Sequence, residues 1–296
     1  MTARPLTARA VFGRVIGFPR LIVEHRDLIS TSVRRELRAR FTGTVLGLAW
    51  PLLHPIFLFA VYYFIFTRFL GFKFGESLPV GQEAAFGVYM FVGVLVWAAF
   101  AETISRGTGV VLENGNLIKK LAFPSEVLPL NTTMVGGVTM LFGVAVFVAA
   151  CLFTPVWVKP GFALLWIPLL LVLQLVFTYG LVLALSALQV FLRDTAQMVA
   201  VLLTVWMFFT PIFWAPQLIG LDKIGEFMPI IEANPMHHLI YAWRVVLMSS
   251  EPSDPIDPFP EPMGVSVAIF AVWAAASFVV GYAFFVLCQH RFADEV

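Results

Sequence analysis

Long apolar runs separated by short polar connections dominate this chain of 296 residues. A helix that crosses a bilayer needs about 20 mostly apolar residues. Leu46 to Leu70, Phe86 to Ser105 and Val127 to Phe153 each meet that requirement. Phe162 to Trp214 is too long for one crossing, and its only charged residues are Arg193 and Asp194. Charges are costly in hydrocarbon, so the pattern predicts a tight turn at that pair, with spans four and five on either side. Val265 to Gln289 is the sixth span. The expected fold is an all-α polytopic membrane protein of six transmembrane helices, with an N-terminal segment 1–45, a six-span core 46–289 and a tail 290–296.

Two connections depart from simple loops. Residues 215–264 include Met236 to Met248, an apolar piece too short to cross, and Asn234-Pro235 ahead of it is a good helix start. It is read as a re-entrant outer hairpin between spans five and six, with a helix lying flat at the interface as the other reading; irregular backbone at membrane depth needs protein or a water-filled cavity around it. Before span one, His25 to Phe41 places Leu28/Ile29, Val33, Leu37 and Phe41 on one face. That predicts an amphipathic interfacial helix whose Arg34, Arg35, Arg38 and Arg40 lie near lipid phosphates. Positive charge placed only to set the topology explains the same arginines.

Composition agrees with the spans: 60% hydrophobic and 12% charged, against about 25% charged in a soluble domain. The net charge of +1 says little, but its distribution sets an orientation. With the N-terminus inside, Arg4, Arg9, Arg14, Arg20, Arg26, Arg34, Arg35, Arg38, Arg40, Arg106, Lys119, Lys120, Arg193 and Arg291 lie inside, fourteen of nineteen. Arg68, Lys73, Lys159, Lys223 and Arg244 lie outside. Lysine and arginine favour the cytoplasmic side, so both termini are expected there. No apolar h-region with a cleavage site follows the basic N-terminus, so the first spans are expected to serve as the targeting signal. Cys151 and Cys288 fall inside apolar runs and read as small core residues.

Several chemistries find no residues to carry them. The acids Glu251, Asp254, Asp257 and Glu261 sit in a Pro-rich string without histidine, so no catalytic or metal site assembles. His237 and His238 lack further ligands. A proton-coupled transporter needs ionisable groups at mid-membrane, and the span centres are nearly free of them. No GxxxxGK[ST] phosphate loop occurs.

The stretch ENGNLIKKLAFPSEVLPLN, Glu113 to Asn131, is the polar exception between spans two and three. Glu113 to Leu121 suits a short helix with Leu117, Ile118 and Leu121 on one face. Lys119 and Lys120 complement its dipole, and Pro124 ends it. Glu102 and Arg106, four apart, pair along span two, either neutralising charge near the interface or tying that span to the loop.

Four blocks in order carry a family resemblance: RRELRARFTGTVLGLAWPLLHPIFLFAVYYFIF, with Leu46, Gly47, Trp50, Leu53 and Pro55; NGNLIKKLAFPSEVLPL; FLRDTAQMVAVLLTVWMFFTPIFW; and NPMHHLIYAWRVVL. Together they resemble the permease subunits of type-2 ABC exporters, and more narrowly those for O-antigen and teichoic acid. The likeness runs from about Arg34 to Leu247; the N-terminal extension and the acidic Pro-rich loop match no motif.

The resemblance implies a single transmembrane permease domain over 1–296 in the bacterial inner membrane, exporting a lipid-linked polysaccharide. It implies a homodimer with two copies of a cytosolic ABC ATPase, membrane lipids as surroundings and no nucleic acid. No cofactor belongs to this chain; ATP and Mg belong to the partner. Glu113, Asn116, Leu117, Ile118, Lys119 and Lys120 are implied to couple to the ATPase. Topology alone also favours the two lysines. Arg193 and Asp194 are a second such contact or a plain turn. Tyr62, Tyr63, Phe66, Trp206, Phe209 and Trp243 are implied to line the glycan pathway, since sugar rings slide on aromatic faces; packing and lipid contact are the default for any single aromatic among 30 phenylalanines. A permease for a small molecule or drug shares the topology and is the alternative; a membrane-embedded glycan-processing enzyme is a further one.

Overall fold

The computed structural model describes residues 8–41, 50–62, 64–65, 69, 85–120, 124–153, 161–215, 225–248 and 262–295, and among these there is no β-strand. Backbone in hydrocarbon must satisfy its own hydrogen bonds, which is why the apolar runs become helices. The chain opens with α1 (Ala8–Glu24), α2 (Arg26–Phe41) and α3 (Trp50–Tyr62). A long α4 (Ala85–Glu113) leads to a short α5 (Gly115–Lys120) and back through α6 (Val127–Phe153). A 3-10 turn, Phe162–Trp166, enters α7 (Ile167–Phe191), which folds back into α8 (Thr195–Phe209). Two short helices, α9 (Met228–Glu232) and α10 (Pro235–Met248), precede α11 (Met263–Cys288). A 3-10 turn, Gln289–Arg291, then joins α11 to α12 (Phe292–Glu295).

Among the described residues, four stretches are long and apolar enough to cross a membrane: Phe86–Glu113, Val127–Leu152, Phe162–Phe191 and Met263–Glu295. They fall on expected spans two, three, four and six. Thr195–Phe209 is apolar but shorter. Of expected span one, only α3 and a few following residues lie within the described part, so its bounds at Leu46 and Leu70 fall outside the described residues.

The expected bounds need correction in three places. The span-two helix does not stop at Ser105 but runs on to Glu113, because no proline interrupts Arg106 to Glu113 and Gly107 lets the helix lie against Val182. Expected span five reached Trp214, whereas α8 ends at Phe209. Thr210 is extended (φ −94°, ψ 135°), as suits a residue before a proline. The amphipathic helix begins at Arg26 rather than His25, and a separate helix, α1, precedes it. Its Val15, Phe18, Leu21 and Ile22 pack into the core, while Phe18 stacks on Tyr179 at 5.2 Å and touches Phe278 and Tyr282.

α7 and α11 touch most closely. A Cβ at Gly281 would fall on the carbonyl of Gly180, and one at Gly180 on the carbonyl of Ser277. The Ser277-x-x-x-Gly281 spacing therefore permits backbone contact, and Ser277 Oγ adds a hydrogen bond to the Phe177 carbonyl at 2.9 Å. Threonine hydroxyls on α4 and α6 bond carbonyls one turn back: Thr103 to Ala99, Thr108 to Ile104 and Thr133 to Pro129. This is how polar side chains are tolerated among apolar ones.

α10 is almost entirely buried against α4, α7 and α11. Its start adjoins Trp206, which stands edge-on to Trp97 near the middle of α4. Its later residue Arg244 adjoins Tyr89 in the first turns of α4. The helix thus runs from the level of α4's middle toward α4's N-terminal end.

Candidate functional site

The base of the bundle, where α4 gives way to α5, is built around Asn114. Its side-chain amide donates to the Val110 carbonyl at 2.8 Å, and its own carbonyl accepts from Leu117 N at 2.9 Å. The side chain ends one helix while the carbonyl starts the next. The expected helix from Glu113 to Leu121 is therefore shorter. Glu113 is the last residue of α4, exposed, and α5 spans Gly115–Lys120. Ile118 packs into the core, whereas Asn116, Leu117 and Lys119 are exposed. Lys120 belongs to α5, and Leu121 lies outside the described residues.

The chain then re-enters the bundle through Ser125 and Glu126, both buried. Gln289 Nε2 donates to Ser125 Oγ at 3.0 Å and to Glu126 Oε2 at 3.3 Å. Tyr179 Oη donates to the Glu126 carbonyl at 3.1 Å. On the other side Arg14 Nη1 donates to Gln289 Oε1 at 2.9 Å. None of Asn114, Gln289 or Arg14 was singled out from the sequence. A single Gln between an apolar span and the charged tail gives no signal of its partners.

Arg193 and Asp194 form the turn between α7 and α8, as expected, and both are exposed. Gln189 shapes it, accepting from Ala196 N at 2.8 Å and donating to the Arg193 carbonyl at 3.0 Å. Thr195 Oγ1 donates to the Leu192 carbonyl at 2.6 Å.

The arginines of α2 divide. Arg34, Arg35 and Arg38 point outward. Arg40 does not: its side chain is only 10% exposed, with Nη1 3.2 Å from Glu102 and Nη2 3.5 Å from Glu36. Arg106 Nε lies 3.0 Å from the same Glu102 oxygen. Burial pushes the Arg40 guanidinium below its ordinary pKa and Arg106 adds to this, against the pull of Glu102 and Glu36. The expectation that Arg40 faces lipid phosphate is thus corrected: it ties α2 to α4. The expected Glu102–Arg106 pair forms and takes Arg40 as a third member.

The aromatic candidates also separate. Phe209 is 59% exposed and continues a face of α8 formed by Met198, Val201, Leu202 and Val205. Trp206 is half-buried, its indole N–H donating to Asn234 Oδ1 at 2.8 Å, its ring edge-on to Trp97 and Phe100. Trp243 has no exposed surface, and its N–H donates to Gln174 Oε1 at 3.0 Å. A residue enclosed by α10 and its neighbours cannot line a pathway, so Trp243 is a packing residue. Tyr62 ends α3 without a described side chain, and Tyr63 and Phe66 lie outside the described residues.

Asn234 organises the start of α10. Its Oδ1 accepts from Met236 N at 3.0 Å, which caps the helix, and its Nδ2 donates to Thr210 Oγ1 at 2.9 Å. Arg244, expected in the outer loop, is buried instead. Its Nε, Nη1 and Nη2 donate to the carbonyls of Tyr89, Pro211 and Ile212 at 3.1, 2.7 and 3.1 Å, with the guanidinium 3.3 Å above the Tyr89 ring. His238 Nε2 donates to the Glu232 carbonyl at 2.7 Å, which leaves Nδ1 to accept from Ser266 Oγ at 3.2 Å. Both ring nitrogens are thereby occupied.

Comparison with known proteins places this geometry in a family. The chain is 28% identical over 263 residues to an O-antigen export system permease protein RfbA from Myxococcus xanthus, an alignment covering 89% of this chain and 95% of the relative. It is 26% identical over 270 residues to a protein of the same name from Klebsiella pneumoniae, covering 90% and 94% respectively. The family model described as ABC-2 type transporter matches residues 27–248. The match takes in α2 through α10, the exposed α5 and the Arg193–Asp194 turn included, and on it this multi-pass membrane protein belongs to the ABC-2 type transporter family.

Proposed function

We propose that the chain is the transmembrane permease of an ATP-driven exporter that carries a lipid-linked cell-surface polysaccharide, O-antigen or a similar glycan, across the bacterial inner membrane. The observation that carries this reading is near-full-length similarity to permeases named for O-antigen export. In it, α3 and α8 belong to spans one and five, completing six spans with both termini cytoplasmic. The segment around α9 and α10 is the re-entrant outer hairpin, and the depth at which α10 begins, beside Trp206, supports it. Two copies of the permease pair and bind two cytosolic ATPase subunits. ATP and Mg act on those subunits and hydrolysis occurs there.

The exposed side of α5 is the face an ATPase groove would hold. Asn116 and Leu117 offer a small mixed surface, and Lys119 and Lys120 carry positive charge at the C-terminal end, where the helix dipole favours it. Arg193 and Asp194 supply the second contact. The exposed aromatic end of α8 at Phe209, with the edge of Trp206, offers apolar surface to sugar rings without fixed hydrogen-bond demands; Tyr62, Tyr63 and Phe66 are assigned to the same pathway by the family resemblance alone. Arg34, Arg35 and Arg38 meet lipid phosphates.

The test is complementation of an export-deficient strain by the chain together with its ATPase, with surface polysaccharide as the readout. Restored surface glycan is expected. Replacing Lys119 and Lys120 by Glu should abolish it while the permease remains in the membrane. ATP-dependent release of a small apolar compound with no glycan reaching the surface would sink the polysaccharide assignment.

A further inference from the structure

The short stretch after α11 holds the connection that carries α5 at its exit and backs α5 itself. Gln289 holds the exit through Ser125 Oγ and Glu126 Oε2, at 3.0 and 3.3 Å. Three residues on, Phe292 is fully buried, edge-on to Phe285 at 5.1 Å and 6.4 Å from Phe191. It belongs to the core cluster against which Ile118 of α5 packs, and α12 lies against both α5 and α7. Toward α4, α5 is joined through the turn at Asn114, and its Ile118 packs on the cluster that also holds Val110 and Val111 of α4. A short helix hinged at one turn and backed by a buried aromatic moves with what backs it, since packed side chains do not deform continuously.

The backing element is itself rigidly joined to a second span. α11 and α7 meet backbone to backbone at Gly281 and Gly180, and Tyr179 reaches from α7 to the Glu126 carbonyl at the loop exit. Arg14 ties α1 to the same Gln289 at 2.9 Å, and Phe18 fills the space between Tyr179 and Phe278. A push on α5 therefore meets α11, α7 and α1 together.

We infer that Gln289 to Phe292 form a transmission clamp that delivers movement of α5 to α11 and α7 as one body, and not only to α4 and α6, to which α5 is covalently joined. This rests on the reading of α5 as the helix on which the ATPase pushes. Gln289 and Phe292 are then positioning residues for export: they touch neither ATP nor glycan, and they set how much of each stroke reaches the spans.

The test uses the full permease reconstituted with its ATPase in proteoliposomes, with ATPase binding, ATP turnover and glycan moved per ATP measured separately. Phe292→Ala and Gln289→Met are expected to keep ATPase affinity within about threefold and to lower glycan moved per ATP by about tenfold. Phe292→Leu, which refills most of the space, is expected to recover most of the yield. Unchanged yield in both clamp variants overturns the clamp, as does a fall that only follows lost ATPase binding or lost folded protein. Gln289→Met removes hydrogen bonds from a half-buried side chain and so stays informative if Phe292→Ala does not fold. Leu117→Asp tests the underlying reading by itself: unaltered ATPase binding there sinks the docking role of α5. Lost binding there, with unchanged yield in the clamp variants, sinks the clamp alone.

Discussion

Arg244 offers the sharpest energetic test of this structure. Residues 210–215 leave helical geometry among apolar helices, so their carbonyls lack the donor that a helix supplies from one turn on and need side-chain donors instead. Arg244 meets two of them, at Pro211 and Ile212, and a third at Tyr89. Replacing it with leucine orphans these bonds. A buried group that loses its partner costs about 1–3 kcal/mol, and three such losses set an upper range of about 3–9 kcal/mol. Carbonyls share lone pairs with other contacts, and burying the cation carries its own desolvation cost of several kcal/mol. Subtracting that leaves a net loss of up to about 5 kcal/mol. Arg244→Lys keeps the charge but not the planar fork or the stacking on Tyr89. Holding one carbonyl of three, it should lose about 2–3 kcal/mol. The assay is SDS titration of the folded protein in mixed micelles, following tryptophan fluorescence, with the order wild type, Lys, Leu expected. If Arg244→Leu is as stable as the parent, desolvation of the cation outweighs its bonds and the reasoning fails.

Three further outcomes follow from the same geometry. Gly281→Ala places a methyl against the Gly180 carbonyl and should cost about 1–3 kcal/mol by overpacking, whereas Gly161→Ala, with open space around it, should be near neutral in the same titration. Asn234→Ala removes the cap of α10 along with its bonds to Trp206 and Thr210, an expected loss of about 1–2 kcal/mol; Asn234→Asp should recover part of it, because the acceptor for Met236 N and Trp206 remains. A double-mutant cycle between Arg40 and Glu102 should give a coupling of no more than about 1 kcal/mol. Glu102 is 45% exposed, and the coupling should shrink as salt is added; a salt-independent coupling would contradict the exposure.

The base of the bundle was only partly legible from the sequence. Pro124 and the Arg193–Asp194 pair stand out because proline and charge interrupt apolar helices for local reasons. Asn114 does not, since an asparagine reads alike in a loop or at a helix end until its side chain is seen on Val110. Ser105 reads as the end of span two because Glu102 and Arg106 lie beside it; the helix continues because no proline interrupts Arg106 to Glu113 and Gly107 lies against Val182, while Arg40, 62 residues before Glu102, joins the charged pair. α1 went unread because Gly13, Gly17 and Pro19 are poor helix formers, and what holds the helix is the packing of Phe18 against Tyr179, Phe278 and Tyr282. Trp243 drew attention as an aromatic and proved to be enclosed, a matter of which helices surround α10.

What the sequence determined by itself is the four long apolar spans found among the described residues, because crossing a bilayer demands a length of apolar residues that any window along the chain can count. It also determined the exposed polar elements at the turns, since charge excludes itself from hydrocarbon locally. Only the tertiary structure decided which charges are sheltered, Arg40 and Arg244 among them, which aromatics are accessible, and that Gln289 and Phe292 stand behind α5. Those outcomes depend on groups brought together from distant parts of the chain. In lipid the apolar pattern that gives a helix its length does not say which neighbour it will meet; that is settled by close fits such as Gly180 on Gly281.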